Sequence, residues 1–190
     1  MMHNPVTGFT MGELFCGASG LGLGAQIASD IAGVPIDVLW ATDRDESACS
    51  SYRDNINVKN RPNVVCDDVA NIKIENLPPV DGITFGFPCN DFSIIGEKKG
   101  TDGEYGGLYG YGVRAISELR PKWFLAENVG GLTSSKGGED LRKILKELSG
   151  AGYNITPHLY KFEEYGVPQA RHRVIIVGIR NDISVTFRVP

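Results

Sequence analysis

The sequence predicts an α/β fold: a doubly wound, mostly parallel sheet of seven strands whose last two members run antiparallel. Two observations carry this. Short apolar runs alternate with segments of helical periodicity, the pattern of a parallel sheet covered by helices. The final two runs follow one another with no helical segment between them, so they pair as antiparallel neighbours.

The strand-like runs are ELFCG (13–17), VLWATD (38–43), NVVC (63–66), GITFG (82–86), WFLAEN (123–128), ITPHLYKF (155–162) and RVIIVGIR (173–180). Between the early ones, GLGAQIASDIA and SACSSYRDNI place apolar residues at helical spacing. In EDLRKILKELSG, residues Leu141, Ile144, Leu145 and Leu148 share one helix face, and Gly150 is the expected C-cap. We find no internal repeat, linker or second domain, so residues 1–190 are expected to form one cofactor-binding and catalytic domain.

Composition narrows the function. The 190 residues carry a net charge of −4, with 42% hydrophobic residues, and the isoelectric point is about 5.4. That balance has no basic footprint for a free-standing nucleic-acid binder. The four cysteines form no CxxC pair and only three histidines exist, which argues against a zinc site or a disulfide framework. No metal is expected. The N-terminus lacks a basic stretch followed by an apolar core, and no apolar run is long enough to span a bilayer, so the expected location is the cytoplasm.

The chemistry concentrates after the strands. ELFCGASGLGLG runs from a strand through a glycine-rich turn into a helix, where Gly17 and Gly20 permit tight backbone and the helix start offers N–H donors. The glycine spacing is not that of a dinucleotide fingerprint. The second run ends at Asp43, where doubly wound folds place a carboxylate against ribose hydroxyls. The third is followed by Asp67 and Asp68. Helix capping accounts for each acid singly; together they suit an adenosine pocket whose negative charge favours a cofactor with a positive centre.

The fourth run leads into GFPCNDFSIIG (86–96). Pro88 fixes its own φ and holds Phe87 extended, so Cys89 leaves the strand in a set direction, while Gly86 and Gly96 allow close approach. That setting suits a nucleophile; Cys16, Cys49 and Cys66 suit inert packing. The fifth run ends in ENV, with Glu127 available to hold or share a proton. In YGVPQARHR, Gln169, Arg171 and Arg173 supply donors for a phosphate backbone or a base oxygen, Arg171 and Arg173 facing one side of an extended chain.

These stretches together, in this order, resemble the C5-cytosine DNA methyltransferases across nearly the whole chain, with a Rossmann-like, S-adenosylmethionine-dependent methyltransferase fold. LFCGASGLGLG is similar to their cofactor loop, with Ser19 where glycine is usual. TDRDESACSSY resembles their ribose-binding acidic segment, which puts Asp43 in that acid's place. DDVANI resembles the adenine-contacting segment through Asp68, with Asp67 replacing a glycine. GFPCNDFSIIG matches the nucleophile loop, with Asn90 for glutamine, and ENV and QARHR match two further catalytic segments.

The resemblance implies a cofactor set of Phe15, Gly17, Gly20, Asp43, Asp68, Val69 and Pro88, and a substrate set of Gln169, Arg171 and Ser93. It also implies the chemistry. Cys89 adds to C6 of a cytosine flipped out of DNA, Glu127 supports N3, and C5 becomes nucleophilic enough to take the methyl group of S-adenosylmethionine. Arg171 is expected on the flipped base, with Arg173 and Gln169 holding the site and backbone. In the family's usual order a target-recognition region and closing segments follow QxRxR. The chain is therefore expected to need a second polypeptide or a further C-terminal region, and to bind DNA weakly alone. The alternatives are a catalytically incomplete cofactor-binding module of a split or truncated enzyme, or an RNA cytosine-C5 methyltransferase. The expected setting is bacterial or phage-encoded restriction–modification.

Overall fold

The structure, a computed structural model, describes residues 8–56, 62–88 and 107–190. Its sheet has seven strands: β1 (Phe9–Leu14), β2 (Ile36–Asp43), β3 (Asn63–Cys66), β4 (Gly82–Gly86), β5 (Trp123–Val129), β6 (Tyr153–Lys161) and β7 (His172–Arg180). They lie in the order β3-β2-β1-β4-β5-β7-β6. β1 and β3 pair parallel to β2. β7 pairs antiparallel to both β5 and β6. Among the described residues, four helices alternate with the strands: α1 (Gly20–Ala32), α2 (Glu46–Asn55), α3 (Tyr109–Leu119) and α4 (Glu139–Gly150). The expected fold class is observed.

By packing, the chain divides into two compact units, Met1–Thr84 and Phe85–Pro190. In the first, Trp40 on β2 is fully buried and its indole lies across β1 at Gly12. A Cβ built at Gly12 would stand 2.1 Å from the Trp40 ring, so only glycine fits. The indole N–H donates to the Pro78 carbonyl at 2.9 Å. This explains a difference from expectation in β1, which spans Phe9–Leu14 rather than 13–17. Gly12 interrupts the strand-like alternation in the sequence, yet its bare face is what admits Trp40. The strand ends early because Phe15 turns left-handed, at φ 54°.

In the second unit, the Phe85, Phe124 and Tyr153 rings form the core, Phe124 to Phe85 at 5.9 Å and to Tyr153 at 5.1 Å edge-on. The Tyr153 hydroxyl donates to the carbonyls of Ile116 and Pro121. α3 has no counterpart in the sequence reading. Gly110 and Gly112 weaken its helical propensity, but a Cβ at Gly112 would lie 2.5 Å from the Phe85 ring. Ring packing overrides propensity there. In α4, Ile144 and Leu148 are the buried positions of the expected face. Gly150 is a correction: it lies within the last turn, Ala151 is the C-cap, and Gly152 takes the left-handed position at φ 95°. The Gly152 N–H then closes the helix end onto the Ser149 carbonyl at 3.0 Å. Among the described residues no helix is long and apolar enough to cross a membrane.

Candidate active site

In the first unit, three parallel strands end side by side and their carboxyl ends build one edge. The turn after β1 is unusual backbone: Phe15, Gly17 and Ser19 all have positive φ, at 54°, 53° and 89°. Asp43, the last residue of β2, holds this turn. Its Oδ2 accepts the Gly17 N–H at 2.8 Å and its Oδ1 accepts the Asp45 N–H at 3.0 Å. Its carbonyl accepts the Asp67 N–H at 3.0 Å and faces the Cys49 thiol at 3.5 Å. One aspartate thus ties the ends of β1, β2 and β3 together. The Ser19 N–H closes the turn onto the Cys16 carbonyl at 3.1 Å.

The acids divide by role. Asp45 and Asp68 are helix caps, accepting from the N–H groups of Ala48 and Ala70. Asp43 caps no helix. Asp67 accepts from the Asp68 N–H at 2.7 Å and the Asn71 amide at 2.9 Å. Val69, beside the Asp68 cap, is buried. α1 begins at Gly20 with no side-chain cap and no acid in its first turn.

A Cβ built at Gly17 or Gly20 would meet no atom within 4 Å. The protein's own packing does not demand glycine at Gly20, so the turn is open there. The two flanking thiols are held in the protonated form. Burial, then the Glu13 and Asp43 charges, raises the Cys16 pKa. Hydrogen bonds to Glu46 and Cys49 push the Cys66 thiol up to about 12.

In the second unit, Glu127 on β5 and Arg173 on β7 form an ion pair, Oε1 to Nε, at 2.8 Å. Both side chains are mostly buried, 25% and 19% exposed, so the pair is shielded from full solvent screening. A Cβ at Gly86 would lie 3.2 Å from Glu127 Oε2, so the glycine ending β4 leaves room beside that carboxyl. Asn128, 3% exposed, uses both ends of its amide. Its Nδ2 donates to the Phe87 carbonyl at 2.8 Å and its Oδ1 accepts the Val129 N–H at 2.8 Å. Asn128 therefore fixes the backbone entering Pro88, a function the sequence motif contained without disclosing.

Arg171 is exposed just before β7, and Gln169 is exposed in the preceding loop. The Arg171 N–H donates to Glu163 Oε2 at 3.1 Å, and Glu163 Oε1 lies 2.6 Å from His172 Nε2. Glu163 thereby clasps the two ends of the loop that carries Gln169. Arg173 also donates from Nη1 to the His172 carbonyl at 2.8 Å. The structure brings Glu127 and Arg173 together, while Arg171 is exposed. Cys89, Asn90 and Ser93 lie outside the described residues; Pro88 is the exposed last residue before them. Among the described residues, no group of His, Cys, Asp or Glu is placed to hold a metal ion.

The model of the C-5 cytosine-specific DNA methylases matches residues 9–190. The chain belongs to this family. Two curated relatives show the extent of the likeness. Type II methyltransferase M.BbvI of Brevibacillus brevis is 52% identical over 96% of this chain and 52% of its own length. Type II methyltransferase M.NgoFVII of Neisseria gonorrhoeae is 38% identical over 94% of this chain and 46% of its own. The chain thus spans about half the length of the curated relatives it matches. Among solved structures, a prophage-encoded DNA modification methyltransferase of E. coli superposes with a TM-score of 0.72 at 30% identity, covering 94% of this chain and 49% of that one. The S. pombe Dnmt2 methyltransferase shares the fold, with a TM-score of 0.65 at 19% identity over 94% of this chain and 51% of that one.

Proposed function

We propose that this chain carries the cofactor-binding and catalytic part of a DNA cytosine-C5 methyltransferase. The observation that carries the reading is the shielded Glu127–Arg173 pair at 2.8 Å. A carboxyl beside a guanidinium matches the edge of cytosine, which offers N3 and the 4-amino group next to the O2 acceptor. The pair favours Arg173 at the base, a role the sequence reading gave to Arg171. Exposed Arg171 suits a phosphate instead.

S-adenosylmethionine would be held by the 15–20 turn, Asp43 and the Asp68–Val69 segment; it would supply a methyl group to C5, its sulfur–methyl bond breaking to leave the neutral thioether. Cys89 thiolate adds to C6 of the flipped cytosine while Glu127, which takes up a proton from solvent as the base binds, passes it to N3, so the electron pair of the C5–C6 bond becomes available at C5. After C5 takes the methyl group, a base removes the C5 proton. Its bonding pair re-forms the C5–C6 double bond as the thiolate leaves, and the N3 proton returns to Glu127. Arg173 orients the Glu127 carboxyl throughout, and Asn128 holds the strand end from which Cys89 departs. Gln169 and Ser93 complete the contacts to the substrate strand.

The bacterial type II methyltransferases among the relatives support a place in the bacterial cytoplasm, in restriction–modification. The test is transfer of a labelled methyl group to DNA and to RNA, by the chain with its whole polypeptide or a partner carrying the recognition region. Label in DNA as 5-methylcytosine, lost in Cys89→Ser and Glu127→Gln, is the expected result. Label confined to RNA, or retained in Cys89→Ser, overturns the reading.

A further inference from the structure

One carboxyl group outside the assigned machinery is wholly enclosed beside it. Glu13 on β1 is 1% exposed. Its Oε2 accepts the Tyr52 hydroxyl of α2 at 2.8 Å, and the backbone N–H of Gly22 in α1 donates to the same carboxyl. A Cβ at Gly22 would lie 2.7 Å from the Tyr52 hydroxyl and 3.0 Å from Glu13 Oε2, so the contact requires glycine. One carboxyl therefore joins β1, α1 and α2 directly under the turn between β1 and α1. Asp43 and Cys16 are the other ionisable groups facing it.

Burial pushes the Glu13 pKa up to about 7; the hydrogen bonds from Tyr52 and Gly22 pull it down and the Asp43 charge adds to the rise. The sign follows. The protonated form is favoured below that value, and the ionised form is enclosed at a cost above it. A positive charge arriving nearby lowers that cost.

We propose that Glu13 is a positioning residue for the 15–20 turn, and that binding of a cationic nucleoside at this turn releases a proton from its carboxyl. The inference rests on the S-adenosylmethionine reading and adds a thermodynamic coupling to it. The proton moves from the Glu13 carboxyl to solvent as the sulfonium centre arrives; no covalent bond to carbon changes.

Calorimetry of the full chain, in buffers of differing ionisation enthalpy at neutral pH, measures the protons released. The probes are S-adenosylmethionine and its neutral thioether counterpart, S-adenosylhomocysteine. The expected result is release of up to about half a proton with the sulfonium compound and less with the thioether, with release abolished in Glu13→Gln while binding persists. Equal release in wild type and Glu13→Gln overturns the coupling. Absence of binding by either compound would count instead against the cofactor reading, and a second measurement then decides on Glu13 alone. The Gly22 amide resonance should titrate across the neutral range in wild type and stay flat in Glu13→Gln. A flat wild-type resonance overturns the proposal.

Discussion

Arg173 reaches Glu127 diagonally across the β5–β7 ladder. Arg173 is in register with Val129 and Glu127 with Ile175, yet Nε and Oε1 are 2.8 Å apart. Diagonal neighbours on one sheet face are within reach of long side chains. The antiparallel return of β7 beside β5 is what makes this possible.

The two arginines should therefore separate in kinetics. Arg173→Lys keeps the charge but loses the planar fork beside Glu127, and a fall in kcat on the order of 100-fold is expected. Arg171→Ala should mainly raise KM for DNA and reduce the salt dependence of binding by about one unit of slope. Steady-state kinetics at several salt concentrations check both. Equal kcat losses would contradict the separation.

Gly86→Ala places a Cβ about where Glu127 Oε2 needs room, at 3.2 Å. The fold should survive, because the displaced atom ends a side chain, while methyl transfer falls. Gly178→Ala is the contrasting case: its Cβ would meet the Phe124 ring at 2.0 Å. That substitution should cost roughly 3 kcal/mol or more by overpacking. Urea unfolding of both variants, with activity measured on the first, tells the two effects apart.

Ser19 sits at φ 89° and is buried, in a region that favours glycine. Ser19→Gly should stabilise the chain by about 1 kcal/mol by removing that strain, a rise in melting temperature of a few degrees. Unchanged or lowered thermal stability would mean that the hydroxyl contributes more than the backbone loses.

Glu163→Ala opens the clasp on the 162–171 loop. Its own backbone N–H, then His172, holds the Glu163 carboxyl below the usual carboxylate range. The clasp is thus complete above the ordinary carboxylate pKa and is lost as pH falls through the lowered one. Both partners are exposed, so global stability should barely change while KM for DNA rises several-fold. Unaltered KM with a large loss of stability would contradict this role.

The parts of this architecture legible in the sequence are those set by local pattern. NVVC and GITFG became β3 and β4 with the expected bounds, because turn residues flank apolar β-branched runs. ENV and QARHR singled out Glu127 and Arg173. What stayed hidden depends on partners distant in sequence. The helical state of Gly110 and Gly112 is set by the Phe85 ring, and the bare face of Gly12 by Trp40. Glu13 reads as an ordinary strand residue until Tyr52 of α2 is seen above it. Which arginine meets Glu127 is decided by the ladder register, which no spacing of residues displays.

In the proposed mechanism Cys89 is the nucleophile, and Glu127, Arg173 and Asn128 serve the base it attacks. DNA carrying 5-fluorocytosine tests this most directly, since fluorine at C5 cannot leave as a proton does and the thioether to C6 stays closed. Incubated with S-adenosylmethionine and the polypeptide supplying target recognition, the wild-type chain should form a covalent adduct stable to denaturation. Cys16→Ala, Cys49→Ala and Cys66→Ala should trap normally, Asn128→Ala should trap slowly, and Cys89→Ala should trap nothing. An adduct formed equally well by Cys89→Ala would contradict the account.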